Sequence, residues 1–248
     1  MTFRTSLCLA LLLPTCVLSP MNADAAPRPV DETRGAFQSG GRNVRVQIYA
    51  PRGTGRHPAV LVLHSAGGTL LGWKELQRFS KTLAERGMTA FLVRYFDRTG
   101  TIMADARSID RHIPAWIDTV GDAVDYAASH PRTNRKKIGV FGYSLGAYLS
   151  VAQGSLDPRI DAVAEVAGGV FDPPFPSRMR RMPPILIMHG IADRRVKVSE
   201  AYEVAAEAKR FGTRPILQLY PGEEHVLRGA AAADATARTF VFLERNLL

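Results

Sequence analysis

The sequence predicts a single α/β domain, a mostly parallel sheet with helices on both faces. Three observations carry that expectation. Short apolar runs alternate with amphipathic helical stretches, the order that builds a parallel sheet wrapped by helices. Two of the runs, Ala59-Val60-Leu61-Val62-Leu63 and Ile185-Leu186-Ile187-Met188, are apolar without interruption, as strands covered on both faces are. Residues 138–152 read as a strand, then the turn Gly142-Tyr143-Ser144-Leu145-Gly146, then a helix.

Taken in order, residues 26–40 are polar, interrupted by Pro27, Pro29, Gly35 and Gly40, and suit an arm with at most one edge strand. Val44, Val46 and Ile48 alternate with polar neighbours, the period of a half-exposed strand. Pro51 to Pro58 is a turn-rich connection, and the 59–63 strand ends in the loop His64-Ser65-Ala66-Gly67-Gly68. Leu76, Phe79, Leu83 and Ala84 share one face of a helix from Trp73 to Arg86, stopped by Gly87. Thr89 to Tyr95 is the next strand, followed by the loop 96–100. A long amphipathic helix over 108–130 turns Ile113, Trp116, Ile117, Val120, Val124 and Ala127 inward. After the Ser144 turn come a strand at Ile160–Val166 and a Pro/Arg-rich loop to Pro184. The 185–188 strand, a helix at Ser199–Phe211, a strand at Pro215–Tyr220 and a helix from Ala230 to Leu247 complete the chain.

The first 25 residues read as a secretory signal peptide rather than as part of the domain at 26–248. Arg4 supplies the positive start, Leu7 to Leu18 the apolar core, and Ala23-Asp24-Ala25 the cleavage site. A core of about 12 residues falls short of the ~20 that span a bilayer, so no stable membrane insertion is expected; a membrane-anchored N-terminus is the alternative. An exported protein, periplasmic or secreted, is the localisation this predicts. Both cysteines, Cys8 and Cys16, lie in the leader, which excludes a disulfide, a thiol nucleophile or a thiolate metal site from the domain. The balance of 32 Lys+Arg against 23 Asp+Glu leaves +9, but no basic helix or aromatic-basic interleaving accompanies it, so no nucleic-acid partner is expected.

In a parallel sheet, reactive groups collect beyond the C-terminal ends of the strands. Ser144, Asp193 and His225 each follow a different predicted strand. A serine hydroxyl needs a base to take its proton, and a histidine held by a carboxylate is the usual one. Read singly, Asp193 is a turn or helix-cap aspartate and His225 a solvated loop histidine; their shared strand-end position makes the joint reading. Asp97, also after a strand, is the second choice of acid. His64 and His189 end strands and are expected beneath the site, while His57, His112 and His130 are expected at the surface. The Leu145 N–H and a second one from the early glycine loop, best Ala66, would serve a developing oxyanion.

With those residues in place, the chain resembles the α/β-hydrolases, and more narrowly the dienelactone hydrolase family. The resemblance rests on Leu61-Val62-Leu63-His64 with its glycine loop, Gly142 to Gly146, Asp157-Pro158-Arg159-Ile160 leading to Gly168-Gly169, His189-Gly190-x-x-Asp193, and His225. It implies an α/β-hydrolase fold and a triad of Ser144, Asp193 and His225, with Ala66 and Leu145 as oxyanion donors. The family's founding enzymes carry cysteine where Ser144 stands and a glutamate near Ser65. The swap favours ordinary ester hydrolysis over the family's eponymous lactone.

The expected function is therefore an exported serine hydrolase of carboxylic esters or lactones, acting on a small molecule with no metal or organic cofactor. A dienelactone-hydrolase-like lactonase, a peptidase or acyltransferase on the same triad, and a silent binding scaffold are the rivals. The 171–184 loop, with Phe171, Phe175, Arg178, Arg180 and Arg181, could wall the pocket and attract an anionic substrate. The sequence carries no signal for an oligomeric state.

Overall fold

In the computed structural model, which describes residues 27–172 and 175–248, the strands form one eight-stranded sheet. The leader at 1–25 lies outside the described residues. The strands are β1 Val30–Ser39, β2 Arg42–Pro51, β3 His57–Leu63, β4 Thr89–Val93, β5 Thr133–Tyr143, β6 Ile160–Val166, β7 Ile185–Gly190 and β8 Ile216–Tyr220. Their spatial order is β1-β2-β4-β3-β5-β6-β7-β8. β2 runs antiparallel to β1 and β4, and the remaining pairs are parallel.

The helices are α1 Trp73–Glu85, α2 Ala106–Ser129, α3 Leu145–Leu156, α4 Phe175–Arg178, α5 Val198–Arg210 and α6 Gly229–Leu247. The unbroken apolar runs are explained by the two layers they feed. Ala59, Leu61 and Leu63 of β3, with Ile185 and Ile187 of β7, pack among residues of α2, α3 and α5. The alternate residues Val60, Val62, Leu186 and Met188 pack among residues of α1 and α6 on the opposite face. With successive side chains pointing to opposite faces, a strand between two helix layers buries both alternating sets of these runs, so both sets are apolar.

Three differences from the sequence expectation have local causes. The 26–40 arm is a full ten-residue edge strand, paired from Val30↔Pro51 to Ser39↔Arg42. Gly40 and Gly41, both at positive φ, make the tight two-residue hairpin that sets this register. α2 begins at Ala106, two residues early, because the Asp105 carboxylate accepts the Ser108 N–H at 2.8 Å while Ser108 Oγ accepts the Asp105 N–H. The Pro/Arg-rich loop contains the single turn α4.

A carboxyl side chain of the sheet is wholly shut away from water. Glu165 of β6 accepts the Gly168 N–H at 2.8 Å with Oε2, while Oε1 has no partner. Burial pushes its carboxyl up to about 8. As pH rises towards that value the unfolded chain gives up the proton and the native chain keeps it, so native stability falls through this window. Glu165→Gln removes the slope. Its urea midpoint should exceed that of the parent by more at about pH 8 than at about pH 5.

Candidate active site

The site begins with a tight backbone turn that two glycines permit. Ser144 lies between β5 and α3 at φ 55, ψ −120, a region that non-glycine residues rarely occupy. A Cβ on Gly142 would overlap the Gly146 carbonyl and Ser150 Oγ, and one on Gly146 would meet the Leu63 and His64 carbonyls. The two glycines thus let α3 cross close above β3 and β5, and the Ser144 N–H donates to Val166 O at 2.9 Å.

The loops after β7 and β8 bring the partners. His225 Nε2 lies 2.9 Å from Ser144 Oγ, and its Nδ1 lies 2.7 Å from Asp193 Oδ2. Asp193 is held from behind, its Oδ1 accepting the Arg195 N–H at 2.8 Å and the Val196 N–H at 3.0 Å. All three residues are buried. Gly190 lets the two loops approach, since a Cβ there would strike the Glu223 and Glu224 carbonyls. His64 and His189 are fully buried, as expected of residues beneath the site. His189 Nε2 is 2.9 Å from Val196 O and 3.3 Å from Asp193 Oδ2.

Ala66 and Leu145 line the same cavity as Ser144. Neither N–H has an acceptor among the described residues. The early loop is fastened by Ala104 N–H donating to Ala66 O at 2.8 Å and by Gly67 N–H donating to Ser65 Oγ at 3.2 Å. The cavity holds about 610 Å³, walled by Ile109, Ile113, Ile117, Val170, Phe171 and Phe175. Its polar wall is Tyr148, Asp172, Glu200, Asp110 and Arg178. The Tyr148 hydroxyl donates to Glu200 Oε2 at 3.2 Å. Burial, then the Glu200 carboxyl, pushes that phenol well above its ordinary range, so it stays a donor.

Other expectations are corrected. Asp97 does not approach His225; it takes paired 2.8 Å bonds from Arg45 Nε and Nη2 at the far side of the early loop. His57, His112 and His130 are half-buried rather than on the surface. Of the loop arginines only Arg178 reaches the cavity. Arg180 Nη1 donates to Ser177 O, and Arg181 Nη1 turns to the carbonyls of Gly154, Asp157 and Ile160 at 3.4, 3.0 and 2.8 Å. Three carbonyls on one cation tie the end of α3 to β6. Arg181→Ala should therefore cost about 2 kcal/mol in urea denaturation and leave kcat/KM unchanged.

Sequence reasoning missed Tyr143, whose hydroxyl donates to the His225 carbonyl at 2.7 Å. The only signal was its place inside the glycine turn, and its partner lies 82 residues away. Among the described residues no group of three or more His, Cys, Asp or Glu is placed to hold a metal ion. No helix among them is long and apolar enough to cross a membrane.

Comparison with known proteins agrees with this architecture. The model of the dienelactone hydrolase family matches residues 44–244. The mouse acyl-coenzyme A thioesterase 5 is 28% identical over 130 residues, 50% of this chain and 27% of that protein. The chain thus spans about a quarter of the length of that curated relative. The dienelactone hydrolase-like promiscuous phosphotriesterase P91, from metagenomic libraries, superposes with a TM-score of 0.75 at 16% identity, covering 90% of this chain and 100% of that one. The dienelactone hydrolase of Anabaena variabilis superposes with a TM-score of 0.71 at 20% identity, covering 88% and 99%. These two likenesses speak for the fold.

Proposed function

Because the chain belongs to the dienelactone hydrolase family, we propose that it hydrolyses carboxylic esters or lactones through an acyl-enzyme on Ser144. The observation that carries this reading is the single imidazole within hydrogen-bond reach of both the Ser144 hydroxyl and the Asp193 carboxylate. His225 Nε2 takes the hydroxyl proton as Oγ bonds to the carbonyl carbon, and Asp193 steadies the imidazolium through Nδ1–H. The carbonyl oxygen, now negative, accepts the Ala66 and Leu145 N–H groups at the positive end of α3. His225 then returns the proton to the departing alkoxide. Water, deprotonated by the same nitrogen, releases the acid and restores Ser144.

A fluorophosphonate probe tests the nucleophile directly. Mass spectrometry should find the adduct on Ser144 alone, and a chain that fails to label would be a silent scaffold. The apolar cavity walls suit the acyl part of a neutral ester. With Asp110, Asp172 and Glu200 opposite Arg178, the cavity holds more acid than base, and acid-bearing esters should gain no advantage at low salt. Thioesters are a second substrate class, favoured by the likeness to the mouse thioesterase. Export is the reading of the leader, and the secreted chain should then begin at Ala26.

A further inference from the structure

The cavity that holds Ser144 carries a charge opposite to that of the chain around it. The chain has a net charge of +9, yet three carboxylates, Asp110, Asp172 and Glu200, share this cavity with one guanidinium, Arg178. Arg178 is exposed, lies 5.9 Å from the centre of the Phe175 ring, and also lines a neighbouring groove beside Asp118, Asp122 and Asp125. None of the three cavity carboxylates forms an ion pair among the described residues. Glu200 is the centre of the excess. Its Oε2 accepts the Tyr148 hydroxyl at 3.2 Å, and a Cβ on Gly169 would strike both partners, so the glycine leaves room for the pair. Burial raises the Glu200 carboxyl, and the charges of Glu203 and Asp172 add to the rise. A cation placed beside it would favour the ionised form and relieve that cost.

The walls decide which cation fits. Tyr148, Phe171 and Phe175 stand as a row of rings with centroids 5.3 and 5.7 Å apart, and Ile113 and Val170 add apolar surface. Aromatic faces attract cations through the ring quadrupole. A strongly hydrated ion gains little from such walls, whereas an alkylated ammonium offers charge and apolar surface together. Tyr148 lies one helical turn after the nucleophile, its N–H donating to Ser144 O at 3.1 Å. A molecule reaching from Ser144 Oγ to this wall therefore carries its charge only a few bonds from the reacting carbonyl.

We propose that the Ser144 cavity selects esters bearing an alkylated ammonium group, the cation seated against Tyr148 and Phe171 and facing Glu200 and Asp172. The shared chemistry is the ammonium, whether it hangs from the acyl or the alcohol half of the ester. This selection rests on the reading of Ser144 as the nucleophile of an esterase, and names the substrate class for it.

Two substrate pairs, each a cation and its tert-butyl carbon isostere, test the selection. Choline acetate and its isostere carry the group in the alcohol; p-nitrophenyl trimethylammoniobutanoate and its isostere carry it in the acyl chain. In at least one pair kcat/KM should favour the cation about tenfold at low ionic strength, and the favoured pair identifies the half of the ester concerned. Glu200→Gln, whose amide oxygen can still accept from Tyr148, should erase most of that preference. Where Glu200→Gln fails to fold, Asp172→Asn, at an exposed position, carries the same test. Binding needs no turnover, so calorimetry on Ser144→Ala separates selection from chemistry. Choline should bind more tightly than its isostere, and adding Glu200→Gln should weaken choline about tenfold. Such binding with no ester hydrolysed by the parent would keep the site and end the esterase reading. Esters hydrolysed without preference in either pair, or choline bound no better than its isostere, would overturn the proposal and leave that reading standing. A preference unchanged in the folded variant would equally overturn it.

Discussion

Ser144→Ala is expected to lower kcat for p-nitrophenyl acetate by about 10⁵-fold or more while the fold persists. Alanine removes only the oxygen, and its Cβ already stands where that of serine does. The strained backbone is therefore no worse, and the tie from residue 144 N–H to Val166 O survives. What goes is the bond-forming atom, and with it covalent labelling. The residual rate would come from polarisation of the carbonyl by the Ala66 and Leu145 N–H groups acting with water, since neither group is touched. Turnover within tenfold of the parent, on protein with unchanged circular dichroism, would place the nucleophile elsewhere.

Asp193→Asn is expected to cost about 10⁴-fold in kcat with little change in stability. The reason lies in the direction of each hydrogen bond. Asp193 Oδ1 accepts two backbone N–H groups, from Arg195 and Val196, so the amide oxygen of asparagine must take that side. Its NH₂ is then turned toward His225 Nδ1. Nδ1 must become the acceptor, the ring hydrogen moves to Nε2, and Nε2 can no longer receive the proton of Ser144. The variant should still bind substrate, so KM should move little while kcat collapses. A loss confined to KM would show that the carboxylate positions substrate rather than the imidazole.

The sheet, its two helix layers and the strand-end loops were legible because each is written in local pattern. Uninterrupted apolar runs mark β3 and β7, and the glycine pair marks the turn at Ser144. The residues brought together at the site were legible for the same reason, since each lies just beyond a predicted strand. What stayed hidden depends on partners far along the chain. Nothing near Arg181 shows that it will face the Ile160 carbonyl rather than the cavity. Nothing near Asp97 shows that Arg45 will claim it. Glu165 reads as one polar residue in an apolar strand, and only the packed sheet shows it shut away from water. The β1 edge strand was underestimated because its polar residues hid the hairpin signal of Gly40-Gly41.

The bond from the Tyr143 hydroxyl to the His225 carbonyl joins the residue beside the nucleophile to the residue carrying the imidazole. Burial pushes that phenol up to about 12, so it remains a donor throughout the range in which an ester could be turned over. Thermal agitation that lifts one loop therefore carries the other along. The separation between oxygen and nitrogen is thereby restrained, even if the apolar walls of the cleft breathe to admit acyl groups of different bulk.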